Sequence, residues 1–586
     1  MKILQIRRYV STILVLAIVF SSFVGTRSVS AAWPEPVRGR HAMVASQHEL
    51  ASKIGAEIMK KGGNAVDAAI AVGLALAVVY PEAGNIGGGG FMLIRKADGT
   101  SYALDYREMA PAAANRDIFV DKDGKLINGE GSSTIGYRAS GVPGTLAGFD
   151  MAFKKYGSGK IRWRDLVEPA RALAQNGYVL SHRLAELLKA YKGNLSKYAD
   201  SNRIFLRDGK YYGEGEVFRQ PDLAATLSRV QTLGAREFYT GKTAQLIAAD
   251  MKANNGLITL DDLKNYKAKE RKPLTGTYRG YPIITMPPPS SGGVTMCEIL
   301  HILEGYPLAE YGWSSAQAVH VTVEAMRHAY VDRNRFLGDP DFVDNPVARL
   351  LSDAHVAEIR ARIDPEHAGK SSELAPELLQ PKEGTHTTHY SIADRFGNAV
   401  SVTYTLNDWF GARVTAAGTG IVLNNEMDDF TSKPGTPNLY GLVQGAANAI
   451  APGKRPLSSM TPSIVLRDGK PVAVLGTPGG STIITAVLQT LLNLVDYGMD
   501  VQEAVDAPRF HHQWLPDEIQ LEARTLSPDT RRLLEGRGHR FVAMPEPNHM
   551  AAILIGAPSL AQPAANGKRF YGANDPRRRT GLAAGY

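Results

Sequence analysis

The sequence predicts a layered α+β protein, two antiparallel-rich sheets enclosed by helices. Two observations carry this expectation. Four segments share the form strand, short turn, strand, at residues 91–106, 389–405, 463–476 and 550–572, the last with a longer connection. Their turns hold Asp98-Gly99, Gly397-Asn398 and Asp468-Gly469, and Asp-Gly between apolar runs is a strong hairpin cue. Stretches with helical periodicity flank these hairpins and are available to cover the sheets. Composition agrees: 44% hydrophobic and 21% charged residues over 586 positions exclude a mainly disordered chain.

The first segment reads as an export signal. Lys2, Arg7 and Arg8 precede an apolar run over residues 10–24, and Val29-Ser30-Ala31-Ala32 supplies small residues for cleavage after Ala31 or Ala32. The apolar run is shorter than the ~20 residues a membrane span needs. Residues 1–31 are therefore expected to be a signal peptide, and the mature protein to be exported, periplasmic or secreted, with no stable membrane span. Losing Lys2, Arg7, Arg8 and Arg27 lowers the formal net charge from +8 to +4. That is too slight for a nucleic-acid-binding face. Arg577-Arg578-Arg579 reads as a solvated tail. Cys297 is the one cysteine, so no intrachain disulfide forms, and its apolar neighbours suggest a small buried side chain.

Along the chain, residues from about 45 to 79 read as helices interrupted at Gly62-Gly63-Asn64. Gly87-Gly88-Gly89-Gly90 then runs into the strand Phe91-Met92-Leu93-Ile94. A dinucleotide loop follows a strand and opens a helix, the reverse order, so the glycines read as close backbone packing. Residues 160–380 look mainly helical, with no internal repeat. Residues 481–497 place Ile484, Val487, Leu488, Leu491 and Val495 on one face, with Gly498 as the C-cap.

Thr387, in Thr385-His386-Thr387-Thr388-His389, is the candidate nucleophile. A threonine hydroxyl needs a base, and an adjacent N-terminal amine is one solution. An α-amino group has a pKa of roughly 7.7–8.0, so part of it is neutral near physiological pH. That amine exists only if the chain is cut between His386 and Thr387. The alternation around Tyr390 and Ile392 otherwise suits an ordinary half-buried strand. Thr405 and Asn407 end the hairpin that starts beside Thr387, and a hairpin returns to its origin. Asn424-Asn425-Glu426-Met427-Asp428-Asp429 concentrates carboxylates that could cap a helix, bind calcium or grip an ammonium. The oxygen spacing and glycine of a calcium loop are absent. Ser458 and Ser459 could hydrogen-bond a carboxylate or simply form a turn. Arg107, at a strand end, could clamp a carboxylate bidentately or form a structural ion pair. Gly479 and Gly480 immediately precede a helix, where outward backbone N–H groups suit an oxyanion; an ordinary strand-to-helix turn is the alternative. The His386/His389 and His511-His512 pairs lack zinc-motif spacing, so no metal and no cofactor are expected.

Together, Thr387-Thr388-His389-Tyr390-Ser391, Thr405-Leu406-Asn407, residues 424–430, residues 456–460 and Pro478-Gly479-Gly480-Ser481 resemble the γ-glutamyltransferase (glutathione hydrolase) family of N-terminal-nucleophile enzymes. Residues 62–69, 87–91, 107–111 and 507–513 are also similar. The resemblance implies a four-layer αββα fold and self-cleavage before Thr387, giving a large subunit of residues 32–386 and a small subunit of residues 387–586 that stay associated. It implies that Thr387 attacks a γ-glutamyl amide such as glutathione, with Thr405 bonding the nucleophile and Gly479 and Gly480 as oxyanion donors. Arg107, Ser458 and Ser459 would hold the substrate α-carboxylate, and Asn407, Glu426 and Asp429 its α-amino group. Residues 434–445, with Tyr440, are similar to a lid over the pocket. Water or an acceptor amino acid or peptide would complete the turnover. The competing expectations are a cephalosporin or glutaryl acylase of the same fold, and a non-catalytic exported binding protein for acidic amino acids.

Overall fold

The computed structural model describes residues 34–375, 387–433, 436, 438–439, 442–564 and 569–586. The expected signal peptide, His386 and Tyr440 lie outside the described residues. The chain divides into two compact units, residues 1–35 and residues 36–586, and all that follows concerns the second.

Fourteen strands, numbered in chain order, build two seven-stranded sheets. The first holds β1 (Val37–Gly39), β6 (Leu274–Tyr278), β7 (Tyr281–Thr285), β10 (Ser463–Arg467), β11 (Lys470–Leu475), β12 (Ile553–Ile555) and β13 (Phe570–Gly572), in the order β1-β13-β12-β11-β10-β7-β6. The second holds β2 (Met43–Ser46), β3 (Gly89–Arg95), β4 (Ser101–Asp105), β5 (Lys269–Arg271), β8 (Thr388–Ala393), β9 (Ala399–Thr405) and β14 (Leu582–Gly585), in the order β14-β2-β8-β9-β3-β4-β5. Every pairing in both sheets is antiparallel. The four expected hairpins are β3–β4, β8–β9, β10–β11 and β12–β13, two in each sheet. At the β10–β11 turn Asp468 and Gly469 both adopt positive φ, 50° and 73°, the conformation a tight type I′ hairpin demands and Asp-Gly supplies.

The sheets stack face to face and helices cover both outer faces, giving four layers, αββα. Helices α1 (Glu49–Lys60), α2 (Ala65–Val79) and α3 (Thr145–Tyr156) lie on the second sheet. On the other side, α4 (Gly292–Leu303) packs on β6 and against α5 (Ala316–Phe336) and α7 (Thr482–Val495), with α6 (Asp353–Arg362) against α4. Strand periodicity explains the layering. Val44, Met92 and Ile94 enter the core shared with α1 and α2, whereas Met43, Ala45, Phe91 and Leu93 enter the core between the sheets. Helix α2 begins at Asn64, whose side chain accepts from the Val66 and Asp67 amides while Asp67 returns a bond to the Asn64 amide. That reciprocal cap marks the expected break after Gly62-Gly63. All fifteen residues of α2 are buried, which its unbroken apolar composition requires.

Three expectations change. Ala45 and Ser46 belong to β2 rather than to a helix, because they pair with Tyr390 and Ser391 of β8. Strand β8 is buried on both faces, not half-buried, since helices cover one side and the other sheet the second. The run Arg577-Arg578-Arg579 is not a solvated tail. Arg578 is buried over the rings of Tyr80 and Trp409, and Arg577 bonds Glu522 at 2.6 Å, which brings β14 back onto β2. The middle region is mainly helical but also supplies β5, β6 and β7. No helix among the described residues is long and apolar enough to cross a membrane, and Cys297 is buried, its thiol pushed up to about 12 by burial.

One close contact locks the sheets together. His389 of β8 points at the first sheet, with Nδ1 2.8 Å from Thr403 Oγ1 and Nε2 3.1 Å from Ser391 Oγ. A Cβ on Gly476, at the end of β11, would stand 2.0 Å from that ring. Gly476→Ala must separate the sheets or displace the ring, at a cost of about 1–3 kcal/mol. A lowered melting temperature by scanning calorimetry is expected, and an unchanged one refutes the lock.

Candidate active site

Thr387 immediately precedes β8 and is 3% exposed. Thr388 pairs with Tyr404, and the antiparallel register carried one step outward sets Thr387 opposite Thr405. Thr405 is itself held from behind. Its carbonyl accepts from Asn85 Nδ2 at 2.7 Å, and Gly88 lies so close that a Cβ there would be 2.0 Å from that oxygen. The glycine run is therefore close backbone packing against the end of β9. Thr405 Oγ1 accepts from the Asn407 amide at 2.8 Å as the chain leaves the strand, and Asn407 takes a positive φ of 77° there. Asparagine is among the side chains that tolerate it. Asn407 Nδ2 then bonds the Asn425 carbonyl at 3.0 Å, tying the two polar loops together.

A cavity opens at this point, lined by Thr387, Thr405, Asn407, Arg107, Glu426, Asp429, Ser458, Ser459 and Gly480. The sequence singled out each of these. Gly479 is adjacent to the lining rather than part of it, and Tyr440 lies outside the described residues. Arg333, Leu442, Leu457, Met460 and Ile483 complete the wall; Leu457, Met460 and Leu442 lie within segments the sequence marked but were not singled out, and Arg333 and Ile483 were missed. Four are ordinary apolar side chains without a signal. Arg333 carried no local signal either: it shares a face of α5 with Ala329 and Tyr330, whose burial only the packing of α5 reveals.

Arg107 is the electrostatic centre. It follows β4, where its amide bonds the Asp105 carboxylate at 3.1 Å and its carbonyl accepts from Tyr266 Oη at 2.7 Å. Its guanidinium bonds Glu426 Oε1 and Asp429 Oδ2, and Glu108 lies 3.5 Å away. Burial opposes the charge on Arg107, but Glu426, Asp429 and Glu108 more than offset this and raise its pKa. Burial also raises the carboxyls: Glu108 to about 7, Glu426 well above its usual range, and Asp429 upward, each pulled back partly by Arg107. The short 3-10 turn Glu426–Asp429 places its two terminal carboxylates on the one guanidinium. A helix cap is therefore not the role of this cluster, and the ion-pair reading of Arg107 holds in the ligand-free site.

Across the cavity, Ser459 Oγ accepts from Arg333 Nη2 at 2.9 Å, and Arg333 Nε bonds Ser291 Oγ at 2.9 Å. Ser291 in turn bonds the Ser458 carbonyl through its amide at 2.7 Å and its hydroxyl at 2.6 Å. Burial lowers the Arg333 pKa to about 10. The serine loop is thus anchored by a second buried arginine. Behind Thr387, Gly479 and Gly480 take φ of 136° and 55° before α7. Their carbonyls accept from the Thr482 and Ile483 amides, and Asn548 Nδ2 holds the Pro478 carbonyl at 2.6 Å. Among the described residues their own amides have no acceptor, so they remain available at the positive end of the helix. His389, His511 and His512 are neutral, lowered by burial to about 3, 4 and 3, and none belongs to a candidate metal cluster among the described residues.

The charge balance yields a pH-dependent prediction. A buried carboxyl whose folded pKa is raised contributes its stability fully below its unfolded pKa and loses it as pH rises through the folded value. Arg107→Met removes the cation that Glu108, Glu426 and Asp429 share, so their folded pKa values rise further. Breaking such a pair costs about 3–5 kcal/mol when the partner stays charged. The drop in melting temperature relative to wild type should therefore be larger at pH 8 than at pH 5. An equal drop at both refutes the shared-charge account.

A family model described as gamma-glutamyltranspeptidase matches residues 51–585. The chain is 57% identical over 560 residues to a glutathione hydrolase proenzyme of Pseudomonas sp. (strain A14), covering 95% of this chain and 96% of that one. It is 49% identical over 552 residues to a glutathione hydrolase proenzyme of Escherichia coli (strain K12), covering 94% and 93%. Among solved structures it superposes on a cephalosporin acylase from Bacillus halodurans with a TM-score of 0.81 at 27% identity, covering 96% and 99%. These matches span the catalytic layers and every wall of the cavity: the chain belongs to the gamma-glutamyltranspeptidase family.

Proposed function

We propose that this protein is an exported γ-glutamyltransferase and glutathione hydrolase that cuts itself before Thr387 and then transfers γ-glutamyl groups to water or to amino acid and peptide acceptors. The observation that supports it most is the cavity itself. Its lining holds a guanidinium paired with two carboxylates, two serines, and a threonine at the chain position where a cut creates an amine. A free α-amino acid end carries one anion and one cation, and these groups complement it. Arg107, Ser458 and Ser459 take the α-carboxylate, with Arg333 holding Ser459 in place. Glu426, Asp429 and Asn407 take the α-ammonium.

In this reading the Thr387 hydroxyl gives its proton to its own α-amine and its oxygen attacks the γ-carbonyl carbon. The oxyanion that forms is met by the Gly479 and Gly480 amides. Collapse breaks the amide bond, and the leaving amine takes the proton back from the Thr387 amine. The γ-glutamyl ester is then opened by water or an acceptor amine, whose proton follows the same route and returns Thr387 to its free form. Thr405 positions the nucleophile from the facing strand. Residues 32–386 and 387–586 would be the two subunits, and residues 1–31 the export signal.

An acylase for glutaryl groups is the competing reading within the same frame, and a cephalosporin acylase from Bacillus halodurans shares that frame. A glutaryl group lacks the ammonium, leaving Glu426 and Asp429 without a substrate partner. Two buried carboxylates facing the cavity therefore favour a γ-glutamyl substrate. A binding protein without catalysis would need no cut.

Thr387→Ala is expected to give one unbroken chain on a denaturing gel and no turnover of a chromogenic γ-glutamyl anilide. Two chains in that variant overturn the nucleophile assignment. Arg107→Lys keeps the charge and loses the bidentate fork, so KM for the anilide should rise about tenfold or more, with processing intact. An unchanged KM removes Arg107 from the carboxylate clamp.

A further inference from the structure

Among the described residues two clusters bring three potential metal ligands together, His320, Glu324 and His539, and Glu298, Asp332 and His355. In the first, the donor atoms are already engaged. His320 Nδ1 lies 2.8 Å from His539 Nε2, and Glu324 bonds Arg327 Nε and the Gly369 amide. The second differs. Glu298 on α4, Asp332 on α5 and His355 on α6 direct two carboxylates and an imidazole to one point, all ligand atoms lying within 4.8 Å of one another. His355 Nε2 is 2.7 Å from Asp332 Oδ2 and 3.5 Å from Glu298 Oε1. The Glu298 side chain is 1% exposed, and its Oε1 has no hydrogen-bond partner among the described residues. A buried carboxylate oxygen without a hydrogen bond, within 4.8 Å of a second carboxylate, is costly unless a cation or a proton joins them.

We propose that Glu298, Asp332 and His355 bind one divalent transition-metal ion of the Zn2+ or Mn2+ type. Two carboxylates and one imidazole suit these ions; Ca2+ requires six to eight oxygen ligands, and Mg2+ an octahedral oxygen shell. The Asp332 and His355 side chains are each 13% exposed, which gives the ion a path from solvent. Arg349, whose charge acts on Glu298, lies over the Phe336 ring, 4.5 Å from its centroid, and makes no ion pair with the cluster among the described residues. Burial and the neighbouring Asp332 hold the Glu298 carboxyl well above its usual range, so the alternative occupant is a proton on Glu298 shared with Asp332. An ion would tie α4, α5 and α6 together and brace the turn of α5 that carries Arg333. The ligands come from three helices, so no sequence spacing announces them, and the expectation of no metal is revised here.

The test uses untagged, full-length processed protein, stripped with a chelator and titrated calorimetrically with Zn2+ and with Mn2+. Wild type and His539→Ala should bind one ion. Glu298→Gln and His355→Ala should lose affinity at least about tenfold while keeping the wild-type circular dichroism spectrum. Zn2+ should raise the melting temperature of wild type and leave that of His355→Ala unmoved. Absence of binding by wild type means the site holds a proton, and overturns the proposal. Unchanged affinity in His355→Ala, or loss of the ion in His539→Ala, overturns it too.

Discussion

The register between β8 and β9 is the constraint on which the site depends. These two strands sit at the centre of the second sheet, sealed by helices on one face and by the first sheet on the other. Side chains alternate along each strand, so a slip of one residue would send Thr387 and Thr405 to opposite faces. The pattern forbids the slip. Val400, Val402 and Tyr404 must enter the helical core, while Ser391, Ser401, His389 and Thr403 bond across to the first sheet or to each other. The position of Thr387 is thus fixed by burial over the whole hairpin, not by contacts at its own end.

Against that rigid frame stands a charge cluster that is complete only in the ligand-free state. Arg107 holds Glu426 and Asp429, with Glu108 behind them, at the floor of the cavity. In the proposed reading an α-amino acid end, with one charge of each sign, would enter by exchanging partners: its carboxylate would take the guanidinium, its ammonium the two carboxylates. No buried charge is left alone at either stage. A ligand with only the carboxylate would take Arg107 and strand the acidic pair in a buried wall, at several kcal/mol per unpaired group. Discrimination follows from this exchange more than from shape. Arg333, pinned to Ser291 and Ser459, keeps the serine loop still while it happens.

Much of this was legible in the chain because the signals were local. Asp-Gly turns between apolar runs marked the hairpins, and the Gly62-Gly63-Asn64 break marked the start of α2. The cavity residues cluster in short motifs, so Thr387, Thr405, Arg107, Glu426 and Asp429 could be named before any coordinates. Most of what escaped was set by tertiary packing. Strands β5, β6 and β7 are short and lie between helices; β6 and β7 carry Thr, Tyr and Ile around an Arg279-Gly280 turn, a local strand cue that the helical surroundings masked. Arg578 looked like part of a solvated run because its partners, Tyr80 and Trp409, are remote in sequence. Arg333 and the Glu298–Asp332–His355 cluster escaped for the same reason: each depends on which faces of separate helices meet.

The same burial that fixes Thr387 shapes the amine a cut would create there. An α-amino group is an ordinary base in water, with part of it neutral near physiological pH. At a position 3% exposed, desolvation penalises the ammonium and drives the pKa down, toward the free base. The carboxylates of Glu426 and Asp429 act in the opposite sense, but Arg107 largely neutralises them until substrate arrives. When the substrate carboxylate claims Arg107, the substrate ammonium replaces that neutralising charge on the acidic pair. In the proposed reading the Thr387 amine would therefore keep a nearly constant electrostatic setting between the empty and loaded site. A base that must accept and return one proton in each half of the reaction gains from that constancy, since neither of its protonation states becomes a trap.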